Sequence, residues 1–210
     1  MKTEDLIAAL ARDAKPAGLA PSRRLMLALA SAPIMAFALL ILVVKPRADL
    51  AAAAGSMLFE LKILFVATLA VAAIALVRAA ARPDGALPRA LMVVPALVLL
   101  FGLGHEIATQ PASLYMSRLV GRSWQLCLLA IPFMAAGPLA ALLFALRSAA
   151  PADPARAGAM AGLAAAAIAA LFYGLHCTDD SPFFVATWYS VAIGATTAAG
   201  ALLGRRLLAW

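Results

Sequence analysis

The chain has 210 residues, 65% of them hydrophobic and 13% charged, with a formal net charge of +7. Soluble domains are nearer half apolar and a quarter charged, so this composition excludes an ordinary soluble domain. The positive charge does not indicate nucleic-acid binding either, because the lysines and arginines stand at the ends of apolar blocks instead of lining one face.

Residues 1–24 form a polar head. Thr3 is suited to cap a helix, with Glu4 and Asp5 in its first turn, where carboxylates favour the positive dipole end. Leu6, Ile7, Leu10 and Ala14 recur at helical spacing, and Pro16 and Gly18 end the pattern, which predicts an amphipathic helix of roughly three turns. No apolar run precedes Leu25, so this start does not read as a secretory leader and the first span is expected to stay in the mature protein.

Six apolar blocks follow. The first runs from Leu25 to Val44 between Arg24 and Lys45, long enough to cross a hydrocarbon core about 30 Å thick. The second covers Met57 to Val77, with Glu60 and Lys62 near its start and expected at the interface. The third, Leu91 to Gly104, is short and needs flanking residues or a thinned bilayer. The fourth, Trp124 to Leu146, contains Pro132 and Pro138, which neighbouring helices can accommodate. The fifth and sixth cover Ala157 to Leu175 and Phe183 to Leu203. Trp124, Trp188, Tyr189 and Trp210 read as interfacial aromatic residues, with Trp188 deep enough to pack inside the bundle.

With the N-terminus inside, the inner segments hold 12 of the 17 lysines and arginines and the outer ones hold 5, which favours both termini inside. Gly158 with Gly162, and Gly200 with Gly204, have the spacing that permits close helix approach. No ionisable residue falls in the middle of a block, which argues against a proton-coupled pump or transporter and leaves a passive channel open.

The residues with chemical potential gather on one side. His105, Glu106, Gln110, Tyr115 and Arg118 lie in the stretch 104–124, Cys127 is one turn into the fourth span, and the fifth turn reads His176-Cys177-Thr178-Asp179-Asp180-Ser181-Pro182. Three readings compete: a Cys127–Cys177 disulfide, a redox or metal sensor, and buried thiols with interfacial histidines. A soft or borderline metal could draw on His105, Glu106, Cys127, His176, Cys177 and Asp179, although ligands from separate segments make no strong motif. Ser181 and Pro182 also suit a helix start. No nucleophile elbow, phosphate loop or CxxC pair is present, so nothing in the chain asks for an enzyme.

Three stretches carry a family resemblance: Met1-Lys2-Thr3-Glu4-Asp5-Leu6-Ile7; Trp124-Gln125-Leu126-Cys127 with Ile131-Pro132; and Gly174 through Phe183 with Trp188-Tyr189. With them the chain resembles the NrsF family of membrane-bound anti-sigma factors, negative regulators of sigma-F. The resemblance implies a non-enzymatic inhibitor in the bacterial inner membrane that sequesters an extracytoplasmic-function sigma factor and releases it on a metal or oxidative stress signal. It implies that the family's pair of cysteines maps to Cys127 and Cys177, and the sigma-binding part to the head. A helix of about 15 residues cannot bury a core of its own and needs a partner groove or a membrane surface; Glu4, Asp5 and Asp13 count against an anionic surface, so Thr3, Asp5, Leu6, Ile7 and Leu10 are the expected contacts to a partner groove. The expected organisation is a cytoplasmic head over 1–24, a six-helix all-α membrane domain over 25–204 and a cytoplasmic tail over 205–210. Expected partners are the sigma factor and the lipid bilayer, without direct nucleic-acid contact. No resident cofactor is expected; a heavy-metal ion enters only as a candidate signal. The alternatives are a small transporter or channel, and a membrane thiol oxidoreductase.

Overall fold

The computed structural model describes residues 3–4, 19–83, 85–149 and 151–209. Every regular element among them is helical. Six helices are long and apolar enough to cross a membrane: α1 (Pro21–Val44), α2 (Met57–Ala80), α3 (Arg89–Thr109), α4 (Trp124–Leu146), α5 (Pro154–Tyr173) and α6 (Pro182–Leu207). Of the head, Thr3 and Glu4 are helical and exposed. Asp5, Leu6, Ile7 and Leu10 lie outside the described residues, as does Trp210.

Small side chains decide the arrangement. α5 is the most enclosed helix and packs against α6, α2, α4 and α1. Its core side is a run of alanines from Ala164 to Ala167, with Gly158 and Gly162 one turn apart towards its start. Without a hydrophobic driving force between helices in lipid, close backbone contact supplies the attraction, and only small residues allow it. Gly158 and Gly162 mesh with Gly200 and Gly204 of α6; their spacing permits close approach, and the fold makes each pair the other's partner. A Cβ at Gly158 would lie 2.2 Å from the Gly200 carbonyl oxygen, and one at Gly204 would lie 2.4 Å from that of Pro154. α1 uses the same device against α4, burying Leu25, Ala28, Ala32, Ala36 and Leu40 along one stripe.

The ends of the elements follow from local chemistry. Asp153 caps α5, its carboxylate accepting from the Arg156 amide at 3.0 Å. Pro21, Pro154 and Pro182 stand at the first positions of α1, α5 and α6, where a missing N–H costs nothing. α1 closes in a π-helical turn over Leu40–Val44, and α6 carries another over Val185–Tyr189.

Three expectations need correction. The third span borrows flanking residues, as its short apolar block required, but the borrowing takes in His105 and Glu106: α3 continues through them to Thr109, so these two are helical residues and not part of a loop. Their polarity hid the last turn, because Glu106 faces inward to polar partners. Lys62 is not interfacial; it is 2% exposed and points into the bundle, whereas Glu60 is exposed. Tyr189 is fully buried against Tyr173, with ring centroids 5.8 Å apart, and does not belong to an aromatic belt.

The glycine seam sets a test. Gly162→Val should destabilise the protein by about 1–3 kcal/mol, since the new side chain would overlap the Thr196 carbonyl and Thr197 backbone. Gly194→Ala, which meets nothing within 4 Å, should leave stability within about 0.5 kcal/mol. Unfolding in detergent micelles reads both.

Candidate functional site: a loop pinned by carboxylates

The loop between α5 and α6 is where the polar residues of one end converge. Its two aspartates point to different neighbours. Asp180 accepts from Arg47 at 2.9 and 3.2 Å and pairs with the Lys62 ammonium. Lys62 also donates to the Cys177 carbonyl at 2.8 Å, and Arg47 donates to the same oxygen at 3.3 Å. Arg47 holds Asp49 with its remaining nitrogens at 2.7 and 2.8 Å. Both cations stand by the Phe59 ring, Lys62 at 5.2 Å and Arg47 at 5.8 Å from its centroid. Two cations and two carboxylates thus form one neutral cluster tying α2 and the α1–α2 connection to the loop.

Asp179 turns to α4. Its carboxylate accepts from the Ser123 amide at 2.9 Å and the Arg122 amide at 3.2 Å, just ahead of that helix. Gly121 makes this approach feasible. It has φ +61°, and a Cβ there would lie 2.5 Å from the Phe184 ring and 2.9 Å from the Asp179 carboxyl carbon. No other residue fits both the conformation and the space.

The third anchor is Glu106 of α3, fully buried. It accepts from the Ser181 hydroxyl at 2.8 Å and the Phe183 amide at 3.3 Å, and pairs with Arg118. Ser181 precedes Pro182 at the start of α6 as expected, but its hydroxyl serves Glu106 and not the helix N-terminus. Nearby, Trp188 donates to the Leu119 carbonyl at 2.8 Å and stacks on Trp124 at 5.0 Å. His176 Nδ1 lies 2.7 Å from the Lys45 carbonyl, which can only accept, so this nitrogen carries the proton.

Cys127 and Cys177 are free thiols, both buried, at this same end. Burial pushes the Cys177 thiol up from its ordinary range despite the opposing effect of Lys62, so it is neutral at physiological pH. Arg47 draws the exposed Asp49 carboxyl below its ordinary value by hydrogen bonding, so this arm of the cluster is present at neutral pH and lost only as pH falls through that lowered value.

All six candidate metal ligands sit at this end of the bundle, but they do not form one ligand set. Among the described residues, no group of three or more histidine, cysteine, aspartate or glutamate side chains converges on a point. Glu106 is occupied by Arg118 and Ser181, Asp179 by the backbone before α4, and His176 by Lys45. His105 Nδ1 is buried without a partner. The structural centre instead includes Arg47, Lys62, Arg118, Asp180 and Ser181, which the sequence reading did not select as site residues. A signal for Lys62 existed: a cation two residues from another charge inside an apolar block needs a partner, and a carboxylate from another segment was the natural one.

The family model described as "Negative regulator of sigma F", NrsF, matches residues 10–210. The chain belongs to the NrsF family. It is 34% identical to the anti-sigma-F factor NrsF of Caulobacter vibrioides (strain NA1000 / CB15N) over 220 residues, covering 100% of both chains. It is also 34% identical to the probable anti-sigma-F factor NrsF of Azospira oryzae (strain ATCC BAA-33 / DSM 13638 / PS) over 219 residues, again covering 100% of both. No solved structure matches the chain. As an NrsF-family member the protein is a regulatory anti-sigma factor and not an enzyme.

A mutant cycle weighs the central pair of this NrsF-family protein. Asp180→Asn should destabilise by about 3–5 kcal/mol, because it strands the Lys62 ammonium in an apolar interior. Lys62→Met combined with Asp180→Asn should recover at least half of that loss. Thermal unfolding of the natural protein, Asp180→Asn, Lys62→Met and the double variant in one detergent checks the ordering; an additive double mutant contradicts it.

Proposed function

We propose that this protein is a bacterial inner-membrane anti-sigma factor with both termini in the cytoplasm, holding an extracytoplasmic-function sigma factor inactive until a signal reaches its periplasmic end. Full-length relationship to two anti-sigma-F factors carries the reading. The orientation rests on the excess of lysine and arginine assigned to the inner segments, 12 of 17. The sigma-binding element is the head, through Thr3, Asp5, Leu6, Ile7 and Leu10, laid as an amphipathic helix into a groove of the partner.

The pinned loop is the receiving end. α5 and α6 are locked together by their glycines, so the pair moves as one body. At rest Asp180, Asp179 and Glu106 fasten the loop to α2, α4 and α3. A stress that breaks these contacts frees the pair to shift, and the inner face loses affinity for the sigma factor. Cys127 on α4 and Cys177 in the loop are the signal-sensing residues. An oxidant that removes two electrons and two protons from their thiols, or a soft heavy-metal ion that displaces the two protons, ties α4 to the loop and disturbs the neighbouring Lys62–Asp180 pair. Their burial as free thiols at the same end supports this reading.

The test is recovery of partners from gently solubilised membranes, identified by mass spectrometry. A sigma factor should accompany the full chain and be lost when residues 1–24 are removed. Cys127→Ser with Cys177→Ser should retain it equally with and without oxidant or cadmium. Recovery undiminished by the truncation contradicts the head assignment, and a normal response in the serine variant contradicts the sensor assignment.

A further inference from the structure

We infer that the arginine-rich end holds an acidic phospholipid in the hollow between α1 and α2. This hollow, about 220 Å³, is far from the pinned loop and is closed on its third side by Ala149, just beyond α4. Its lining divides by chemistry. Arg78 in the last turn of α2 and Arg82 just beyond that helix, both exposed, stand with Ser22 at the mouth, and Leu25, Met26 and Leu29 of α1 form the throat. Among the described residues neither arginine is ion-paired.

The mouth suits a phosphate diester. Guanidinium groups match phosphate oxygens with paired donors, and a serine hydroxyl adds a third. α1 begins beside the hollow, with Pro21 and Ser22 in its lining, Ala20 at its cap position, no side-chain cap and no acid in its first turn, so an uncompensated positive dipole end lies next to the arginines. The throat suits an acyl chain. Leu25 is buried and Met26 is 64% exposed, so the apolar wall runs from the hollow onto the lipid-facing surface of α1. A cationic mouth joined to an apolar throat at the end of two membrane helices is complementary to a headgroup with its chain attached; a free phosphate would use only half of it. The head joins α1 at Pro21, so the bound lipid sits at the root of the head.

The full chain, reconstituted with mixed phosphatidylcholine and phosphatidylglycerol, should retain phosphatidylglycerol on extraction into detergent, read by native mass spectrometry. Arg78→Gln with Arg82→Gln should lower that retention roughly tenfold. Arg205→Gln with Arg206→Gln removes the same charge from the same end and should leave retention within about twofold. Equal loss in both pairs, or none in the first, overturns the site. Excess glycerol phosphate should not displace the lipid; displacement would assign the hollow to a soluble phosphate instead. Because the first pair could unfold, a benzophenone photoprobe at Met26 in the otherwise native chain gives an independent reading. A lipid adduct is expected, and crosslinking to residues 1–20 would make the protein's own head the occupant.

Discussion

A lysine ammonium buried among apolar helices cannot stand alone, and the architecture of one whole end of this protein follows from that. In a low-dielectric interior, the penalty for an unpaired charge is several kcal/mol, and it is offset only by a well-placed counter-charge with further hydrogen bonds. Lys62 finds both in the Asp180 carboxylate and the Cys177 carbonyl. Since these belong to the loop between α5 and α6, pairing Lys62 fixes that loop over α2. Arg47 then satisfies the rest of Asp180 and is itself balanced by Asp49. The flanking residues Asp179 and Ser181 are placed by the same constraint, one on the start of α4 and the other on Glu106.

The other constraint is steric. The glycine seam between α5 and α6 leaves no room for a Cβ at Gly158, Gly162, Gly200 or Gly204. Helices in such contact can slide or tilt together more readily than they separate, because packed interfaces resist continuous deformation. The loop that joins them at one end is also the loop held by the charges. In the proposed mechanism these two facts combine: electrostatics sets the position of the α5–α6 pair, and close packing carries a change in that position to the opposite, arginine-rich end where the head begins.

Much of this was legible in the sequence because lipid imposes simple rules. Block length and the placement of arginines give six spans, and the small-residue spacing marks the faces of α5 and α6 able to approach another helix closely. Family membership was legible from the turn at 174–183 and the segment around Cys127. What could not be read was pairing across segments. His105 and Glu106 look like loop residues because polar side chains normally end a span; Glu106 stays helical because Ser181, Phe183 and Arg118, distant in sequence, satisfy it. Lys62 looks interfacial for the same reason. Tyr189 resembles a belt residue until Tyr173 is seen to pack on it. The cysteines and histidines do share one end of the bundle, but clustering along the chain says nothing about convergence, and each candidate ligand other than the thiols and His105 has a partner of its own in another segment.

The claim that most needs testing is that the loop at one end controls binding at the other. The direct measurement is the dissociation constant for the sigma factor that co-purifies with the chain, determined in lipid nanodiscs for the natural protein and for the Lys62→Met, Asp180→Asn protein. That variant keeps the head and removes the central charge pair without stranding a charge. Binding should weaken by at least about fivefold, the lower end of ordinary coupling between distant sites. An unchanged dissociation constant in a folded variant would mean that the pinned loop stabilises the bundle and has no part in releasing the sigma factor.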